Sequence, residues 1–272
     1  MSNVFNLKRF GKYYSYDFNN AAANYGVSAL VIGLLPLILL VFYVIFSLVF
    51  TGNVEPLPLP LKLTLFGIVL LVVILSAPVK LYGRLTERKA GTDWLMIPAS
   101  SFEKFLSMAI MLCIVLPVVV FGLFAACDLL LGALVPAYGE SMISLLKENI
   151  SLASEMADEM SWAVTTTGGS IMSVWGGWCA SVLAFGLGAI CFKKGKAAKT
   201  ILCIFALEVL LSLLVVIIFK GMDLGQFVSD FFEGMNSEKA QFWTNFALNA
   251  FYFVTIGGLL AAIFFRVKTI KH

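Results

Sequence analysis

Six apolar stretches, each long enough to cross a bilayer as a helix, constrain this chain more than any other feature. A hydrocarbon core about 30 Å thick is spanned by roughly 20 helical residues, and such runs lie near 26–50, 61–79, 105–135, 166–191, 198–219 and 244–265. Inside lipid every backbone N–H and C=O must be satisfied within the chain, so runs of this length fold as helices. Composition agrees: 60% of the 272 residues are hydrophobic and 13% are charged, against roughly 45–50% and 25% in soluble domains. The expected fold class is all-α: a polytopic membrane protein with six transmembrane helices, plus interfacial amphipathic helices at the N-terminus and in the outer loops. The third run is too long for a simple span and is expected to tilt, to kink at Pro117 or to continue outside the membrane.

Orientation follows from where Lys and Arg fall, because positive charge is retained on the cytoplasmic side. Fifteen lie in the N-terminal segment, the loops near 80–104 and 192–198 with their borders, and the C-terminal tail. Lys62, Lys147, Lys220 and Lys239 are the only four in the other loops, near 51–60, 136–165 and 220–243, which hold most of the acids. The alternation predicts six spans with both termini cytoplasmic. Residues 1–24 form an interfacial N-terminal segment, mixing Phe5, Phe10, Tyr13, Tyr14 and Phe18 with Lys8, Arg9 and Lys12. Residues 25–272 form a single transmembrane domain. No cleavable signal peptide is expected, since the first apolar run is too long and too far from the start. In the loop 136–165, Met142, Leu145, Leu146, Ala153, Met156 and Met160 recur near helical spacing. Leu224, Phe227, Val228, Phe231 and Phe232 do so incompletely in the last outer loop, and Trp162 and Trp243 mark the outer interface.

Several function classes are excluded. The sole histidine is His272, and the five cysteines lie in or beside apolar runs without a CxxC pair, so neither a His-based catalytic centre nor a metal site is expected, and no cofactor. "KKGKAAKT" lacks the glycine spacing and the Ser or Thr of a phosphate-cradling loop, so the chain does not hydrolyse ATP itself. A net charge of +3, scattered through short loops, carries no nucleic-acid signal. The chain is not expected to be an enzyme.

Two acids fall inside apolar runs, where insertion of a charge costs about 2.5–3.5 kcal/mol at the bilayer centre. Glu208 lies deep in the fifth run and Asp128 nearer the outer end of the third. Glu208 reads equally as a contact in the bundle interior, facing a transport pathway, or as a hydrogen-bonded link between helices; Asp128 reads first as an interfacial acid. The fourth run carries two small-residue ridges, Gly169, Ser173, Gly177, Ser181 and Gly176, Ala180, Ala184, Gly188. Close helix packing is their first reading, and a subunit or sliding interface their second.

The loop before the third run ends in "PASSFEKF", a helix-start signature with Pro98 upstream, Ser100 as N-cap and Glu103 three residues on as the capping-box acid. Trp94, Leu95, Met96 and Ile97 precede it as a short apolar patch, suited to the headgroup layer or to a cytoplasmic partner. The stretch "DWLMIPASSFEKFLSMAI" resembles the L-P-x-S-x-x-E-x-x-x-S/G-K segment between the second and third spans of type-2 ATP-binding-cassette transporter permeases. It departs from that pattern at Ile97, Ala99 and Met108. The resemblance implies a permease subunit, an exporter, in a bacterial inner membrane, paired with an identical or related permease and driven by a separate ATP-binding subunit. It further implies that Trp94, Ile97, Pro98, Ser100, Phe102 and Glu103 form the ATPase-coupling loop, with Ile97 and Phe102 buried at the contact and Glu103 also available to a basic residue of the ATPase. The alternative is a non-transporting membrane scaffold or sensor; an ion-coupled carrier would need more buried ionisable groups.

Overall fold

The computed structural model describes residues 5–50, 52–53, 56–87, 91–92, 94, 96–144, 170–218 and 237–269, and all their regular structure is helical. The principal helices are α1 (Leu7–Gly33), α2 (Leu35–Phe50), α3 (Leu59–Tyr82), α4 (Ser101–Ile110), α5 (Leu116–Leu134), α6 (Ser170–Cys191), α7 (Lys196–Ile218) and α8 (Ser237–Thr269). Among the described residues, five helical segments are long and apolar enough to cross a membrane: Leu7–Phe50, Leu59–Thr86, Ser101–Leu134, Lys196–Leu214 and Phe242–Thr269. A shorter apolar helix, Trp175–Cys191, lies within the fourth run. The chain is a multi-pass membrane protein.

Prolines set the helix breaks. Pro36, in the first turn of α2, lacks the N–H that would continue α1 and crowds the carbonyl four residues back, so the chain interrupts at Leu34. Pro58 and Pro60 open α3 in the same way. The expected kink at Pro117 takes the form of a π-helical turn, Met111–Val115, between α4 and α5. A widened turn here accommodates the donor that Pro117 removes and the crowding at residue 113.

The N-terminal segment is not separate from the first span. Asn6 caps α1 by accepting from the Lys8 and Arg9 backbone N–H groups, at 3.0 and 3.4 Å, and the helix then continues through residues 24 and 25 to Gly33. Tyr13, Asp17, Tyr25 and Ala29 lie on its buried side at spacings of four and eight, so this face packs on protein along most of its length.

α6 is the central helix and packs against α3, α7 and α8. Val182, Leu183 and Ile190 join Val69, Val73 and Leu112 in the main core, and a smaller cluster of Leu40, Leu57, Leu131 and Tyr138 closes the opposite end. The small ridges of α6 have neighbours inside this chain. Gly176 receives the Tyr252 ring, and a Cβ at Gly188 would overlap Thr200 of α7. Gly177 also faces Tyr252, and Ser181 is half-buried. Gly169 and the side chain of Ser173 lie outside the described residues, as do the patterned loop segments 145–169 and 219–236.

The basic segments converge. The Lys196 ammonium donates to the Gly83 carbonyl, and Arg266 Nε donates to the Ile190 carbonyl at 3.2 Å. Phe264 of α8 packs edge-on against Phe105 of α4 at 5.5 Å. One end of the bundle therefore gathers the N-terminus of α1, the C-terminus of α3 and the N-termini of α4 and α7, together with the C-termini of α6 and α8.

Candidate functional site at the basic end of the bundle

The helix start at Ser100 has the geometry expected of a capping box. The Glu103 N–H donates to Ser100 Oγ at 3.2 Å, and the Ser100 N–H donates to Glu103 Oε2 at 2.9 Å. The same carboxylate reaches a second helix. Its Oε1 accepts from the backbone N–H of Asn6, the N-cap of α1, at 3.0 Å, and Arg9 closes on it with Nη2 at 2.8 Å and Nε at 2.8 and 3.1 Å. One carboxylate thus sits at the N-termini of α1 and α4 together, where both helix dipoles favour negative charge, and a guanidinium fork supplies the counter-ion.

This arrangement corrects one expectation. Glu103 is fully buried and engaged within its own chain, so it is not available to a basic residue of another subunit. The burial is shallow, because the covering side chain is Arg9, itself 30% exposed.

A second carboxylate bolts the same helices together two turns further along. Asp17 of α1 accepts from the Tyr82 hydroxyl of α3 at 3.0 Å and from Ser107 Oγ of α4 at 2.6 Å, both on Oδ2. Between these anchors lies the loop. Trp94 Nε1 donates to the Tyr13 hydroxyl at 3.0 Å, and the Lys104 ammonium donates to the Trp94 carbonyl at 2.7 Å while lying 4.4 Å from the Trp94 ring centroid. Polar groups removed from water cost free energy unless paired, and each of these side chains finds its partner on a different element. The N-terminal half of α1, the loop around Trp94, the end of α3 and the start of α4 consequently form one connected unit.

Beside this polar frame lies an apolar edge. Met96 is 73% exposed and Phe102 is 45% exposed, with Phe5 packed edge-on against Phe102 at 5.9 Å. Pro98 is exposed and Ile97 half-buried. The structure therefore brings Trp94, Ile97, Pro98, Ser100, Phe102 and Glu103 together with two roles: Trp94, Ser100 and Glu103 hold the fold, and Met96, Pro98 and Phe102 face outward.

The intramembrane acids part company. Asp128 is buried at the opposite end, accepting from the Tyr138 hydroxyl and, at 2.8 Å, from the Met142 N–H. Lys62, also buried, lies 4.0 Å from the Tyr138 ring centroid and donates to the Glu140 carbonyl. Burial, and then its hydrogen bond to Asp128, raises the Tyr138 phenol above its ordinary range. Asp128 is thus a closing hydrogen-bond centre for the segment after α5. Glu208 is exposed on α7 in the single chain, where nearly all of residues 201–214 face outward.

Asp17, Arg9 and Lys62 were not legible as partners. The sequence does hold a signal for the first two, since Arg9, Tyr13 and Asp17 recur every four residues on one helical face. The partners Glu103, Trp94, Tyr82 and Ser107 are 65 to 94 positions away from them and carry no local mark. Among the described residues, no group of His, Cys, Asp and Glu is arranged to hold a metal ion.

The chain matches no protein-family model, no curated protein and no solved structure.

Proposed function

We propose that this protein is the membrane-spanning permease subunit of an ATP-driven transporter, an exporter in a bacterial inner membrane, with six spans and both termini cytoplasmic. The unit at the basic end is its coupling element. It docks on a separate cytoplasmic ATPase, and the permease pairs with a second copy or a related chain. The observation that carries this reading is the outward apolar edge of Met96, Pro98 and Phe102 mounted on a frame tied to α1, α3 and α4 through Glu103 and Asp17. A load applied at that edge moves three elements together, because packed, hydrogen-bonded elements shift between discrete arrangements rather than deform continuously. The resemblance of "DWLMIPASSFEKFLSMAI" to the coupling segment of type-2 permeases names the partner.

The test is affinity purification of the tagged chain in mild detergent, comparing wild type with Met96→Asp and with Ile97→Asp/Phe102→Asp, followed by mass spectrometry. Met96→Asp lies outside the ring contacts and leaves the fold intact. The expected result is a soluble ATPase that co-elutes with wild type and is lost with both variants while each still elutes as a monodisperse membrane protein. If no ATPase accompanies the wild type, or if Met96→Asp retains it fully, the coupling reading fails and a scaffold or sensor takes its place.

A further inference from the structure

We infer that the basic end also holds a binding site for the phosphate headgroup of an anionic phospholipid, distinct from the apolar edge and independent of the transporter reading. A cavity of about 310 Å³ opens between α1, the end of α3 and the start of α7, lined by Asn24, Val79, Lys80, Gly83, Arg84, Glu87 and Lys196. Three cations and one carboxylate face it.

Among the described residues no carboxylate forms an ion pair with any of the three cations, and Glu87 acts on Lys196 only at longer range. Lys80 donates to the neutral Ser28 hydroxyl at 2.8 Å, and Lys196 to the Gly83 carbonyl. The side chains of Arg84 and Glu87 have no hydrogen-bond or ion-pair partner among the described residues, where the hydrogen bonds of these two residues are backbone ones. The lining thus keeps two net positive charges around one concavity at the border of apolar helices, where a charge-dense oxyanion is the complementary ligand. α7 starts at the rim with Lys196, so the positive end of a 23-residue helix adds to the field. Gly195, at φ +63°, makes the turn that delivers it.

The surroundings select a lipid over soluble phosphate. The helices that supply the cations present apolar side chains outward along their length: Ile68, Leu71 and Val72 on α3, and Ile201, Leu202 and Phe205 on α7. Acyl chains attached to a phosphate in the cavity have apolar protein beside them. Basic pockets between membrane helices on the positive side bind acidic headgroups on the same principle.

The experiment uses the full chain in neutral detergent and measures bound lipid by native mass spectrometry during titration with phosphatidylglycerol or phosphatidylcholine, with inorganic phosphate as competitor. Wild type is compared with Arg84→Gln, with Lys80→Gln/Arg84→Gln/Lys196→Gln, and with Lys193→Gln/Lys194→Gln/Lys268→Gln, which removes equal charge outside the cavity. The expected result is preference for phosphatidylglycerol. Arg84→Gln, exposed and without an internal partner, weakens it about fivefold, and the triple cavity variant more steeply, at about that factor per cation. The control triple stays near wild type. Equal loss in the two triples, or an unchanged Arg84→Gln, overturns the site in favour of diffuse surface charge. Equal binding of the two lipids, with phosphate bound and lost in the cavity variants, overturns the lipid assignment.

Discussion

Removing the Glu103 side chain tests whether the junction of α1 and α4 is held by one carboxylate. In Glu103→Ala, the Ser100 N–H loses its capping-box acceptor, a loss of about 1 kcal/mol for a cap of this kind. The Asn6 N–H at the head of α1 loses its acceptor as well. The guanidinium of Arg9 is left without its bidentate partner, but Arg9 is 30% exposed and turns to water, so its contribution belongs near the weak end for ion pairs. Charge-assisted hydrogen bonds contribute about 1.5–3 kcal/mol each when shielded; discounting for this screening, Glu103→Ala is expected to cost about 2–3 kcal/mol in all. Glu103→Gln keeps one acceptor oxygen for the two backbone N–H groups, which bond to Oε1 and Oε2 in the wild type, and loses the charge, so it is expected to cost about 1–2 kcal/mol. The assay is reversible unfolding in mixed micelles by dodecyl sulfate, followed by tryptophan fluorescence. A second readout is protease cleavage near residue 9, which reports release of the α1 start without global unfolding. The ranking wild type, Gln, Ala is the expected outcome. If Glu103→Ala unfolds within about 0.5 kcal/mol of wild type, as an ordinary surface substitution does, and α1 stays protected, the bridging role is refuted.

Two further substitutions probe the rest of the bundle. Gly188→Leu places a side chain where Thr200 of α7 already sits, and is expected to cost about 1–3 kcal/mol as overpacking in the same unfolding assay, whereas Gly122→Leu, with nothing within 4 Å of its Cβ position, is expected to be tolerated. Asp128→Asn offers one acceptor oxygen to two donors, the Tyr138 hydroxyl and the Met142 N–H; leaving one unmet costs about 1–3 kcal/mol, and the segment after α5 should exchange its amide hydrogens faster.

How far the functional surface was legible depended on distance along the chain. The capping box of Ser100 and Glu103 spans three residues, so its chemistry is written locally and the structure reproduces it. Glu103 has a further partner in Arg9, 94 positions away, and no local rule distinguishes a carboxylate that caps one helix from one that joins two. Glu208 shows the converse. An acid in an apolar run implies an interior position only if the helix is surrounded, and α7 lies at the periphery of the described structure with its outer face bare.

Hydrophobic run length determined, without any structure, that this chain is helical and membrane-embedded, and Pro117 marked one of its helix breaks, whereas the interruption at Leu34 within the first run was not foreseen. These follow from the thickness of a bilayer, the need to satisfy backbone groups in lipid and the missing N–H of proline, all of which act over a few turns. Only the tertiary structure decided which polar groups meet. The pairing of α1 with α4 through Glu103 and Asp17, the enclosure of Asp128, and the convergence of Lys80, Arg84 and Lys196 on one cavity depend on which helices become neighbours. That choice is made by side-chain packing summed over the whole bundle, with Gly176 and Gly188 admitting Tyr252 and Thr200 against α6, and no short stretch of sequence contains it.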